Sequence, residues 1–252
     1  MSKIYSKTMI SESLKYIGNK IPSGSKIVLH VSLKDLFDNK IEYKNQSSIL
    51  LSMVRDFLQP SEIFIPTFTY SFTNGKIFDV KNSPSEVGRF SEEIRKIFYN
   101  KKKRTLDPVF SVVETENSFK SDNQINKQAF GNSSIWKYLN DNSHYIININ
   151  MNEPLVATQL HFLEFENNVP YRYMKKFNGT FTDWNGKEHM IEYDYYVRDL
   201  KLNPIWNRAK IVKEAKVNSI VLQHGSVTAF EWLSLSKFLN LKIWNNSKYL
   251  IN

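Results

Sequence analysis

Two side chains in the stretch ATQLHFLEF, residues 157–165, are of types that move protons: His161 and, three positions on, Glu164. A helix puts residues at that spacing on one face, here among Leu160, Phe162, Leu163 and Phe165. Such a pair can be half of a metal site, an acid–base pair, or a satisfied buried contact. A metal site takes three or four ligands. The chain has no HExxH motif, no second His–carboxylate repeat and no cysteine, which weighs against metal. As an acid–base pair, the carboxylate would orient the imidazole and favour its protonated form. A general base of this kind contributes on the order of 10²–10⁴-fold in rate. From the residues alone, the catalytic and the structural reading stand level.

Other candidates have weaker local company. His30 ends an apolar run and is followed by Val31-Ser32-Leu33. Strand ends are common ligand positions in α/β folds, and equally suit a buried histidine bonded to backbone. His224 precedes Gly225-Ser226, which could receive a phosphate at a helix start but more often only caps the helix. The basic run at residues 101–104 could clamp a phosphate or form a solvated turn. The lack of cysteine excludes disulfides, thiolate zinc sites, Fe–S clusters and a thiol nucleophile. There is no Walker A loop, GxGxxG, GxSxG elbow, or helix-turn-helix or RRM signature, which weakens ATPase, dehydrogenase, serine hydrolase and nucleic-acid-binding readings.

The 252 residues suffice for a sizeable core. No apolar run approaches the roughly 18–20 residues that span a bilayer, and the N-terminal stretch has no apolar region like that of a secretion signal. A cytoplasmic location without membrane contact is expected. The formal net charge of +9 fits attraction of phosphorylated small molecules, nonspecific contact with nucleic acid, or plain solubility in a Lys- and Asn-rich chain.

Short apolar runs and helical patterns alternate along the chain. Residues 8–21 read as an amphipathic helix, with Ile10, Leu14, Ile17 and Ile21 on one face. KIVLHVSL is a strand, residues 47–58 a helix closed by Pro60, and residues 62–66 a buried strand. Residues 67–88 form a long loop whose four aromatics argue for function rather than disorder. Within it, Ser83, Pro84 and Glu86 have the spacing of an N-cap, a first helical position and a capping box, leading a helix through FSEEIRKIFYN. Strands are expected at 109–114, 144–150, 188–197 and 218–223, and helices at 133–140, 155–166 and 227–240. Strand 188–197 belongs to a hairpin after the turn at Trp184-Asn185-Gly186. The pattern is that of an α/β fold, a mixed central sheet flanked by helices, in a single domain spanning 1–252.

Several stretches together resemble the aminoglycoside 3-N-acetyltransferase family. LHVSL at 29–33 is similar to its His-Ser-Ser-Leu strand exit. PTFTYSF at 66–72 and FDVKNSPSEVGRFSE at 78–92 are similar to its central loop. RTLDPVFSV at 104–112 resembles its Arg-Ser/Thr-x-His-Pro segment, and FGNSSIWKYL at 130–139 its Phe-Gly-x-x-Ser-x-Trp segment. TQLHFLE at 158–164, with PYRYMKKF at 170–177, resembles its Thr-x-x-His-x-x-Glu segment and the tract beyond. The matches are short but fall in the family's order over roughly residues 28–180.

The resemblance implies an N-acyltransferase of that family's α/β fold, using acetyl-CoA or another acyl-CoA. His161 falls on the family's catalytic histidine and Glu164 on its acidic neighbour. His30, Ser32, Leu33, Thr67, Thr69, Arg104, Thr105 and Ser111 fall in segments on the cofactor side. The loop 70–88, with Tyr70, Asp79, Ser83 and Glu86, would face the acceptor, as would Tyr171, Arg172 and Tyr173. Two positions depart from the pattern. Val31 replaces the first serine of the strand exit, and Asp107 replaces the histidine before Pro108. An aspartate there could hold a cation, either the acceptor amine or an active-site histidine, as a third member of the site. The mechanism expected is direct attack of an amine on the thioester, His161 taking the proton, in a ternary complex. The family's acceptors are amino sugars. The basic balance and the tract PYRYMKKF, with guanidinium beside aromatics, favour a nucleotide-linked amino sugar destined for a surface polysaccharide. An aminoglycoside, acetylated in antibiotic resistance, is the alternative. A basic nucleic-acid-binding module is a distant third, and gives no reason for the ordered segments.

Overall fold

The computed structural model describes residues 7–37, 42–116 and 124–252. The first helix, α1 (Lys7–Gly18), buries Ile10, Leu14 and Ile17, the face expected from their spacing. Next come β1 (Lys26–Val31), α2 (Gln46–Leu58) and β2 (Glu62–Pro66). The two-residue strand β3 (Phe78–Asp79), α3 (Arg89–Ile97) and β4 (Val112–Glu114) follow. Then α4 (Ile135–Asp141), β5 (Tyr145–Ile149) and α5 (Gln159–Glu166) lead to a long hairpin of β6 (Arg172–Thr182) and β7 (Glu188–Arg198). The chain closes with α6 (Arg208–Val217), β8 (Val221–His224), β9 (Val227–Glu231) and α7 (Trp232–Asn245). None of these helices is long and apolar enough to cross a membrane.

Six strands form a mixed sheet in the order β4-β2-β1-β5-β9-β8. β1 runs parallel to β2 and β5, and the outer pairs are antiparallel. Alternation along each strand divides the core in two. Ile27, Leu29, Ile63, Ile65 and Ile147 pack with α1, α2 and α3 on one face. Val28, Phe64 and Ile146 pack on the other, with α4 to α7 and the hairpin. β3, β6 and β7 make a second, smaller sheet. Gly179 on β6 lies so close to the Phe72 ring that an added Cβ would stand 2.6 Å from it, so the hairpin and the turn at Tyr70–Asn74 pack through this glycine.

Three sequence expectations change. The helix expected after Ser83 starts at Arg89, behind Gly88. Ser83 instead bonds the Asp79 N–H through its hydroxyl, and Glu86 accepts the Ser71 N–H, so the would-be capping groups tie the 67–88 loop to itself. The strand expected at 109–114 shrinks to Val112–Glu114 because Asp107 turns the preceding backbone. The helix expected over 227–240 begins with a strand: Val227–Glu231 pairs with β5, and Glu231 then caps α7 by accepting the Leu233 and Ser234 N–H groups.

Candidate active site

α5 has apolar residues around most of its circumference, and Leu160, Phe162 and Leu163 are buried in the core. Glu164 is fully buried among them, so its charge must be met inside the protein. One oxygen faces His161 Nδ1 at 3.1 Å and Arg172 Nε at 2.6 Å. The other accepts the Trp206 indole N–H at 2.7 Å. Burial alone would push the carboxyl up, but these partners outweigh it and hold Glu164 below the usual range. His161 lies on the same helical face, three residues back, as the sequence spacing requires.

The imidazole itself is enclosed by rings. Trp206 lies 4.4 Å away between centroids, Phe130 stacks at 6.3 Å and Phe110 lies at 6.5 Å. Desolvation by this surround, with the nearby Arg172 charge, pulls His161 below its ordinary value, while Glu164 pulls the other way. The ring is therefore a neutral imidazole at pH 7. With Nδ1 committed to a carboxylate, Nε2 is the nitrogen able to accept a proton.

Two cavities meet this ring, and another adjoins one of them. The first, of about 550 Å³, is walled by Tyr70, Arg172, Lys175, Tyr195, Arg198 and Trp206. The second, of about 650 Å³, lies at the β1 exit against Ser32, Leu33, Lys34, Tyr43 and Arg89. The third, of about 210 Å³, is a narrower space that shares His161, Tyr70, Trp206 and Arg208 with the first, and Val31, Val87 and Met151 with the second. His30 and Thr158 also line the third cavity. His30 Nε2 is buried without a hydrogen-bond partner, and burial lowers this imidazole to about 4.

The residues expected from the sequence divide into two groups. His161, Tyr70, Arg172 and Tyr173 share the first cavity, and Ser32, Leu33 and His30 lie on the other two. Glu164 stands directly behind His161, with Tyr171 buried beside it. The remainder support the fold instead. Arg104, expected on the cofactor side, is 3 % exposed. Its guanidinium donates to the carbonyls of Thr67 and Ser83 and to the hydroxyls of Thr69 and Ser111, pinning the 67–88 loop. Thr67, Thr69, Thr105 and Ser111 are buried in the same network, and Thr105 accepts the Val112 N–H. Asp79 caps the turn at Lys81 and Asn82, and Ser83 and Glu86 serve the same loop.

Asp107, expected to hold a cation in the site, is fully enclosed. It accepts the N–H groups of Val109 and Phe110, the Asn126 amide and the Tyr193 hydroxyl. Burial pushes its carboxyl up against the pull of those four bonds. It touches no cation among the described residues; it reaches the site only by fixing Phe110, which packs on His161. Sequence reading missed Trp206, Arg198 and Arg208. A tryptophan in the polar stretch NPIWNR is a signal in retrospect, since a partly buried indole N–H seeks an acceptor.

The model of the aminoglycoside 3-N-acetyltransferase family matches residues 29–240. Among solved structures, the chain is similar to the YokD protein from Bacillus subtilis, at 15% identity and a TM-score of 0.73 over 98% of this chain and 96% of that one. It is similar to AAC-IIIb in a binary complex with CoASH, at 14% identity and a TM-score of 0.71 over 96% and 97% of the two chains. AAC-VIa bound to sisomicin gives 15% identity and a TM-score of 0.71 over 98% and 99%. At these identities the likeness is one of fold, the mixed sheet flanked by helices. None of the curated proteins matches the sequence.

Proposed function

The chain belongs to the aminoglycoside 3-N-acetyltransferase family, and on that premise we propose that it transfers an acyl group from acetyl-CoA, or another acyl-CoA, to the amino group of an amino sugar. The observation that carries the reading is His161: it holds a buried carboxylate through Nδ1 and lies on the wall shared by two cavities. Two molecules could therefore reach one base from opposite sides.

The second and third cavities suit the donor. Lys34 and Arg89 offer cations for phosphates, and Leu33, Phe37 and Tyr43 offer apolar and aromatic surface. The narrow third cavity, between Val31, Phe68, Val156 and Ala157, suits a slender arm. The donor supplies a thioester carbon open to attack. The protein's own part is to bring the amine to that carbon from the first cavity. His161 takes the amine proton and passes it to the departing thiolate as the thioester C–S bond gives way to the new amide, and Glu164 holds the imidazole's orientation and stabilises the cation that forms in between. His30 Nε2, buried without a partner, and the Thr158 hydroxyl are the polar groups of the third cavity nearest in kind to what a developing oxyanion needs. With no cysteine in the chain, a thiol-linked acyl-enzyme is excluded, and direct transfer in a ternary complex is the route expected.

For the acceptor, the comparisons support an aminoglycoside ahead of the nucleotide-linked amino sugar suggested by overall charge, since AAC-VIa is bound to sisomicin. The test is a thiol-release assay with acetyl-CoA and longer acyl-CoAs against aminoglycosides and nucleotide-linked amino sugars. Acceptor-dependent release is the expected result. Absence of release with every amine would overturn the reading.

A further inference from the structure

The wall of the first cavity carries Arg172, Lys175, Arg198 and Arg208, and no aspartate or glutamate. Two of these charges are already met. Arg172 is paired with Glu164 at 2.6 Å, and Arg208 with the half-exposed Glu153 at 3.3 Å. Lys175 and Arg198 have no carboxylate partner among the described residues.

The hairpin itself shows the contrast. Lys175 and Lys176 are neighbours on β6, but their side chains leave opposite faces of the sheet. Lys176, facing away from the cavity, is paired with Glu192 at 2.6 Å. Lys175, facing the cavity, stands opposite Tyr195 and lies over Phe177. Arg198 stands opposite Arg172 in the same ladder. With the Arg172 charge met by Glu164, Arg198 is the cation of this opposed pair left to meet an anion in the cavity. Arg208 Nε adds a buried N–H without a hydrogen-bond partner on this wall. A polycationic acceptor would meet these charges with nothing to offset them.

We infer that the amine acylated here belongs to a sugar that also carries an oxyanion, and that Lys175 and Arg198 bind that oxyanion. The inference rests on the acyl-transfer reading above and departs from the acceptor class that the comparisons support. Both phosphate and carboxylate satisfy it, because charge-assisted N–H bonds from a guanidinium fit either. The aromatic faces of Tyr173, Phe177 and Tyr195 beside the cations supply surface for the sugar or a further ring.

The test uses the full chain in the thiol-release assay with an amino sugar, its phosphate ester, its nucleotide-linked form, an amino uronate and sisomicin. Alongside it, calorimetry measures inorganic pyrophosphate binding to the wild type and to Lys175→Gln/Arg198→Gln. The phosphate- or carboxylate-bearing sugars are expected to exceed the plain sugar in kcat/KM by about tenfold or more, given the strength of charged hydrogen bonds. Which of them leads identifies the source of the oxyanion. The double variant is expected to lose that preference through KM, with the KM for acetyl-CoA unchanged. Equal use of all sugars, or preference for sisomicin, would overturn the inference. A raised KM for acetyl-CoA in the double variant would also overturn it, by assigning these cations to the donor's phosphates. If no acceptor releases thiol, the acyl-transfer reading fails separately. Pyrophosphate binding lost in the double variant would then still support the oxyanion site, and no binding by the wild type would refute it.

Discussion

His161 depends on Glu164 for its orientation, and Glu164 depends for its own burial on His161, the Trp206 N–H and the Arg172 charge. Glu164→Gln keeps the shape of this arrangement and removes the charge. It leaves Arg172 buried without its counter-charge and His161 without the group that raises its basicity. Turnover is expected to fall by about 10²-fold, and stability by about 3–5 kcal/mol, the usual cost of breaking a buried pair. The pH dependence has a definite sign. His161 lies below its ordinary 6.5, so wild-type kcat/KM should be flat at neutral pH and fall only below that value. In the variant the acidic limb should move to still lower pH. A pH–rate profile with parallel thermal melts checks both effects, and an unmoved limb would show that Glu164 does not govern the base.

The elements that hold these residues were only partly legible in the sequence. α1, α2, the core strands and the carboxylate–imidazole spacing on α5 could be read from periodicity, because each is set by local alternation or by three-residue spacing. The loop between β2 and α3 could not. Ser83, Glu86 and Arg104 carry local signals of a helix cap and a phosphate clamp, yet they are used in bonds across long stretches of chain. Trp206 is 42 residues from Glu164 in sequence, and no local pattern announces their contact. Asp107 was legible as a departure from the family pattern, but its role in fixing Phe110 and Tyr193 depends on tertiary packing. The structural account of Arg104 makes a separable prediction. Arg104→Met leaves the Ser83 carbonyl without its buried donor, while Thr67 keeps the Ser111 hydroxyl, and should lower stability by about 1–3 kcal/mol, the cost of one unsatisfied buried group. Folded enzyme should keep its KM for acetyl-CoA. A selective loss of acetyl-CoA affinity without loss of stability would restore the cofactor role.

Across the whole molecule, burial and charge combine to set its response to acid. His30 on β1 and His144 just ahead of β5 are both buried, and burial lowers each to about 4. Such groups are neutral in the folded chain and take up protons on unfolding below pH 6.5. Their contribution to stability is therefore complete above that pH and is lost as pH falls toward 4, by roughly 3 kcal/mol for each group. Thermal melts between pH 7 and pH 4.5 should show Tm falling steadily with acid, and a flat Tm would contradict the assigned neutral imidazoles. At the same scale two of the cavities meet at one ring, His161. The direct measurement is turnover of His161→Ala under saturating acetyl-CoA and acceptor, with acetyl-CoA affinity measured on the same protein. Loss of about 10²-fold or more in kcat with affinity retained is the predicted result. Near-normal turnover would contradict the assignment of His161 as the base.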